Sequence, residues 1–232
     1  MAVCYVKHHC SVLHVLLHLY IMPGTLECME KIQPIHHPPN WDPLVFTCIP
    51  ASKDNTLNAD KACTHQHEVL VYTDGSKIGG KVGALAVLQW QGSACPWTLH
   101  YHLGTATEHG IYEAEIVGSI LGTKLLHTEC TLMARPSVVL DNKSSIEATQ
   151  QLHPHPSHYL TDYLLNRACM VHDQVPGSAT RHASVVVAAT FTLHWVPGHT
   201  GIQSNEIVDQ EAKCAAKDTA KSSSSRHLPP IL

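Results

Sequence analysis

The 232 residues carry 44% hydrophobic side chains, the composition of a chain that buries a core and not of a disordered one. The formal charge is −4, from 15 Lys and Arg against 19 Asp and Glu, which excludes a partner gripped by bulk positive charge alone. Nine cysteines, none spaced as Cys-x-x-Cys, argue against a disulfide framework and for a reducing, intracellular setting.

Residues 1–65 open with an apolar run, 11–22, that is broken by His14 and His18. The run falls short of the roughly 20 residues that span a bilayer, so no membrane segment is expected. Lys7 is the only basic side chain before it, too little for a secretory leader. Pro23, Pro34, Pro38, Pro39 and Pro43, followed by a polar tract at 52–61, mark this stretch as a proline-rich, poorly ordered extension or connector.

From residue 66 the texture changes to dense apolar periodicity, which predicts a folded domain over 66–220. Residues 68–74, 82–90 and 97–103 read as three opening strands, the first ending at Asp74-Gly-Ser76. Residues 107–127 place Ile111, Ala114, Val117, Ile120, Leu121 and Leu125 at helical spacing, and 137–140 is a short buried strand running into Asp141. Helices follow at 144–152 and 159–172, then a strand at 190–196, the turn Pro197-Gly198 and a last helix carrying Asp209. Residues 221–232, with four serines and Pro229-Pro230, read as a flexible tail. The order is βββαβαβα.

Four acids stand at telling positions on these elements: Asp74 at a strand end, Glu115 in the first long helix, Asp141 at another strand end and Asp209 in the last helix. Neighbouring first and fourth strands would bring Asp74 and Asp141 together, with the helices supplying the other two. Clustered carboxylates repel unless cations lie between them, so such a group is a divalent-metal site. Singly, each has a plainer reading. Asp-Gly-Ser suits a turn, Glu115 a solvated helix face, Asp141 a helix cap and His199 a loop. Glu113 competes with Glu115.

Tyr72-Thr-Asp-Gly-Ser76, Tyr112-Glu-Ala-Glu-Ile116, Leu140-Asp-Asn142, Trp195-Val-Pro-Gly-His-Thr-Gly201 and Asn205-Glu-Ile-Val-Asp209 follow one another in one order. This set resembles the type 1 ribonuclease H family over residues 68–217, and the second and fourth motifs are similar in form to its branch in LINE-type retrotransposons. The resemblance implies an α/β domain with a mixed five-stranded sheet flanked by helices. It implies an endoribonuclease that cuts the RNA strand of RNA–DNA hybrids by a two-metal mechanism. Asp74, Glu115, Asp141 and Asp209 would hold two Mg²⁺ ions, with Mn²⁺ as an alternative, and His199 would assist proton transfer or product release. Ser76 and Asn142 would contact substrate.

Residues 20–45 resemble the connector to a reverse transcriptase, which would be a partner in cis or in trans. The chain is expected to be monomeric. Two departures bear on affinity: 159–190 is poor in basic residues, and Lys143 follows Asp141-Asn142 where the family commonly has glutamine. The rival readings are a catalytically silent nucleic-acid-binding or scaffold remnant and an integrase-like or transposase-like strand-transfer enzyme. Cys63, His65 and His67, or His8, His9 and Cys10, lack the second half of a zinc site. His153, His155 and His158 alternate with prolines as an exposed turn would.

Overall fold

The computed structural model describes residues 45–50, 69–90, 96–129, 136–151, 157–174, 191–198 and 203–232, with side chains of the last segment from 207 onward. Its strands are β1 (Val45–Cys48), β2 (Val69–Ile78), β3 (Lys81–Trp90), β4 (Trp97–Thr105), β5 (Ser137–Leu140) and β6 (Phe191–Trp195). Its helices are α1 (Ile111–Thr128), α2 (Lys143–Thr149), α3 (His158–Gln174) and α4 (Gln203–Lys217). One sheet runs in the order β1-β6-β5-β2-β3-β4. β1, β6, β5 and β2 pair in parallel, and the β2-β3-β4 meander is antiparallel.

Among the described residues the sheet therefore has six strands, one more than the sequence predicts. The extra strand, β1, lies within the stretch read as an extension and pairs with β6 from Val45↔Phe191 to Cys48↔His194. Four residues bounded by Pro43 and Pro50 give no periodicity to read, and what recruits them is a parallel partner far away in sequence. Val45 and Ile49 pack on the core.

β2 also departs from expectation, continuing four residues past Asp74 to Ile78. Asp-Gly-Ser looks like a turn locally, but the turn is made by Gly79 and Gly80, whose φ angles of 57° and 75° suit a two-residue hairpin that other residues enter with strain. Asp74 thus sits mid-strand, held by pairing with Leu85.

Alternation along β2 and β3 divides the core into two layers. Val69, Val71, Ala84, Ala86 and Leu88 face α1 and α3, joined by Ile116, Ile120, Leu164 and Phe191. Leu70, Tyr72, Leu85 and Val87 face α4, joined by Val208 and Ala212. The spacing of period two in strands and near 3.6 in helices is what sorts these side chains. Gly83 lets α4 approach closely, since a Cβ there would lie 2.4 Å from Ala216 N.

Residues 219–232 are not a loose tail. Two 3₁₀ turns, Thr219–Lys221 and Ser225–His227, carry them along β4. His100 N–H donates to Ser223 Oγ (3.0 Å), His102 N–H to Ser222 Oγ (2.9 Å), and Ser223 N–H returns a bond to His100 O (2.8 Å). Tyr101 Oη donates to Leu232 O (3.1 Å), and Leu228, Ile231 and Leu232 pack on the core. Serine-rich composition reads as linker, whereas here its hydroxyls serve the strand. Among the described residues Cys48, Cys169 and Cys214 are free thiols, and no helix is long and apolar enough to cross a membrane.

Candidate active site

The site begins with strand register. β2 and β5 run parallel with Val71↔Val138 and Tyr72↔Val139 paired. Two residues further on, Asp74 and Asp141 come to matching positions, just where β5 has ended and its chain can turn away. Trp195 Nε1 donates to Asp141 O (2.8 Å), and Val196 N–H donates to Leu140 O (3.0 Å), which pins the backbone at that departure.

Glu115 reaches the same place from α1. Gly75 permits it: a Cβ on Gly75 would lie 2.6 Å from Glu115 N and 2.7 Å from Ala114 C, so only glycine lets the helix backbone rest on the strand. A ligand oxygen from each of Asp74, Glu115 and Asp141 lies within 4.8 Å of the others.

Burial and mutual repulsion dominate the electrostatics of this group. Asp74 is 7% exposed and Glu115 4% exposed. Burial first, then the charges of Asp141 and Asp209, raise the Asp74 carboxyl to about 7, against lowering by the Gly75 N–H and Lys213. Burial, followed by Asp74 and Asp141, pushes Glu115 well above the usual range, although Gly75 N–H and the Asn142 side chain oppose it. Glu115 Oε2 is buried and meets no hydrogen-bond partner among the described residues. A metal ion is a fitting occupant: three hard oxygen donors converge, and one buried oxygen has no other partner among the described residues.

Asp209 stands apart. It lies on α4, close enough to raise Asp74, but its carboxylate accepts from Lys213 Nζ (2.6 Å) one helical turn on. It is not one of the three clustered carboxylates. Ser76 is buried two residues beyond Asp74 on the α4 face of β2. Asn142 caps α2, its Oδ1 accepting from Ser145 N–H (3.1 Å) and Ser144 Oγ (2.6 Å), which leaves its amide N–H groups for Glu115.

His199 lies outside the described residues, as do His153, His155, the candidates at 8–10 and 63–67 and the connector-like stretch up to residue 44. Its neighbour Gly198 is described, and a Cβ there would lie 2.5 Å from Asp141 Oδ2, so the Pro197-Gly198 turn rests on the carboxylate.

Glu113 is not brought to the cluster. It accepts from Gly110 N–H (2.9 Å) and Ser157 Oγ (2.8 Å) and lies 3.3 Å from His109 Nδ1. Burial pushes its pKa up, but these bonds outweigh it and hold the carboxyl below its usual value. It fixes the start of α1 against the start of α3. His158, read as part of an exposed turn, opens α3 with its ring 3.3 Å from buried Asp162. Sequence reading missed Lys213 and the roles of Gly75 and Trp195. The signals were present as a lysine four residues after Asp209, a glycine after Asp74 and a tryptophan opening a recognised motif.

No protein-family model matches the chain, and no curated protein is significantly similar to it. Several solved structures resemble part of the chain. The N-terminal RNase H domain of Rv2228c from Mycobacterium tuberculosis, in a fusion with maltose-binding protein, is 21% identical over 64% of this chain and 98% of that one, with a TM-score of 0.44. RNase H1 of the halophilic archaeon Halobacterium salinarum is 13% identical over 64% and 98%, with a TM-score of 0.43. LC11-RNase H1, in complex with an RNA/DNA hybrid, is 15% identical over 62% and 95%, with a TM-score of 0.42.

Proposed function

We propose that the chain is a divalent-metal-dependent endoribonuclease that hydrolyses the RNA strand of RNA–DNA hybrids. The observation that carries this reading is the buried group Asp74, Glu115 and Asp141, with Glu115 Oε2 unpartnered and Asp74 raised to about 7. Three carboxylates assembled at that cost to stability are better explained by a cation than by packing. The motifs 72–76, 112–116, 140–142, 195–201 and 205–209, in their order, point to type 1 ribonuclease H chemistry over other uses of a carboxylate cluster.

In this proposal Asp74, Glu115, Asp141 and Asp209 hold two Mg²⁺ ions, with Mn²⁺ as an alternative. Bound there, the metal supplies Lewis acidity toward a phosphate and lowers the pKa of water. The chain's own groups do the rest. Asn142 orients Glu115 while capping α2, Trp195 fixes the Asp141 backbone, and Ser76 and Asn142 border the place where the sugar–phosphate backbone would lie. His199 is assigned proton transfer or product release, and the contact of Gly198 with Asp141 supports that role. The Tyr112–Ile116 and Trp195–Gly201 forms further support a retrotransposon origin, with a reverse transcriptase in cis or in trans; the proposal also takes the chain as monomeric and, from its cysteine spacing, intracellular.

A gel assay on a labelled hybrid, with Mg²⁺ and with EDTA, tests the function. RNA-strand products in Mg²⁺ alone are expected, with no cutting of duplex DNA. An intact RNA strand at every Mg²⁺ and Mn²⁺ concentration would overturn the proposal.

A further inference from the structure

We propose that the corner where the β2–β3 hairpin meets the end of α4 is a docking surface for the phosphate backbone of a nucleic-acid duplex, away from the cleavage point. This rests on the nucleic-acid reading above, but not on its catalysis. In a chain of net charge −4, Lys77, Lys81, Lys213, Lys217, Lys221 and Arg226 fall within just two stretches, 77–81 and 213–226.

The fold brings the two stretches together. α4 rests on β3 at Gly83, whose position would bring a Cβ to 2.4 Å from Ala216 N, and Lys81 Nζ donates to Lys217 O (3.0 Å). On the other side of β3, His102 pairs with Gly83 and its N–H donates to Ser222 Oγ, which brings Lys221 alongside. Lys81, Lys217 and Lys221 are all exposed. The acids nearby are engaged locally: Asp218 Oδ1 accepts from Ala220 N–H (2.9 Å), Glu211 lies 3.4 Å from His100 Nε2, and Asp209 pairs with Lys213.

The corner is also aligned with the carboxylates. Asp74 pairs with Leu85 on the face of the sheet covered by α4, and Lys81 lies on that same face by alternation from Leu85. Along α4, Asp209, Lys213 and Lys217 follow one another a turn apart on one side. At about 1.5 Å of rise per residue, Lys217 lies about 12 Å beyond Asp209. A phosphate backbone cut at the carboxylates could therefore pass this corner within a few phosphates of the cut. Lysines act there as point charges, contributing affinity without reading bases.

The test uses the full chain, a fluorescein-labelled 18-base-pair RNA–DNA hybrid and a DNA duplex of the same sequence. Binding is followed by anisotropy in Ca²⁺ at several salt concentrations, with probe integrity checked on a gel. Replacing Lys81, Lys217 and Lys221 by Gln should weaken binding to both duplexes and reduce the slope of log affinity against log salt by roughly 2 to 3, at about 0.9 for each phosphate no longer neutralised. Lys221→Gln alone, which leaves the bond from Lys81 to α4 intact, should reduce the slope by about one such share. Lys124→Gln with Arg167→Gln, on α1 and α3, should leave the slope unchanged.

An unchanged slope in the triple variant, an equal fall in the control, or a weakening confined to the hybrid would overturn the proposal. A wild-type chain that binds no duplex at any salt would do so as well. Parallel cleavage assays separate the two readings. A chain that binds with the expected slope but never cuts removes the nuclease and keeps the surface, whereas a triple variant that cuts and keeps its slope does the reverse.

Discussion

Asp74 and Asp209 bring the same carboxyl group into opposite surroundings. Asp74 is mid-strand, 7% exposed and crowded by two other acids, and its pKa is raised to about 7. The Asp209 side chain is 22% exposed on a helix, with the Lys213 ammonium at 2.6 Å. Around the first, burial and repulsion outweigh the Gly75 N–H and the more distant pull of Lys213, while the second has that lysine as a direct counterion. The buried group is thus the place where a cation gains most, and Asp209 the place where an incoming cation must compete with a lysine already present.

The largest break in this comparison is expected from Asp74→Asn. It should abolish hybrid cleavage in a gel assay while leaving the circular dichroism spectrum unchanged and the melting temperature level or higher, because it removes a buried, repelled charge at nearly constant volume. Retained cleavage would remove Asp74 from the metal set.

The next effect is on stability against pH in EDTA. Folding raises the Asp74 pKa from 3.8 to about 7, so the folded state keeps a proton that the unfolded chain gives up. Stability from this group is therefore full below about pH 4 and is lost as pH rises through 7, by as much as about 4 kcal/mol. Glu115 shifts in the same direction. Urea melts from pH 4 to 8 should show the fall, and Asp74→Asn should flatten it. A profile that rises toward neutrality would contradict the burial argument.

Magnesium should act against that fall. A ligand at a hundred times its dissociation constant adds about 2.7 kcal/mol to the stability of the state that binds it. Thermal melts at pH 7.5 should rise with Mg²⁺ in the wild type, little or not at all in Asp74→Asn or Glu115→Gln, and by most of the wild-type amount in Asp209→Asn. An equal loss at Asp209 would erase the distinction between the two environments. Smallest of all, Lys213→Gln should cost only about 0.3–0.5 kcal/mol without metal, the usual worth of an ion pair one turn apart on a helix. A loss of several kcal/mol in the same melts would mean that Lys213 holds the buried group together.

Strands 82–90 and 97–103 and the helices are legible because their periodicity is local. β1 is not, since four residues between prolines become a strand only through β6. The end of β2 misleads because Asp-Gly-Ser has turn chemistry, and only pairing with Gly83 to Leu85 keeps it extended. The clustering of Asp74, Glu115 and Asp141 can be anticipated because each acid sits at a fixed place on a recognisable element. What stays hidden is how the cluster is supported, through Gly75 as a seat for α1, Asn142 dividing its amide between α2 and Glu115, and Lys213 closing on Asp209. Each depends on an approach between elements that no local pattern encodes.

The hydroxyls of Ser222 and Ser223 have a further consequence at the sheet margin. A strand whose N–H groups face outward is a template on which another chain can add a strand. Here two such groups on β4 are answered by side chains, which end the ladder because a hydroxyl carries no repeating donor and acceptor to the next neighbour. Shortened by its last fourteen residues, the protein would present His100 and His102 to a second copy. The tail thereby occupies the margin on which such a strand would add.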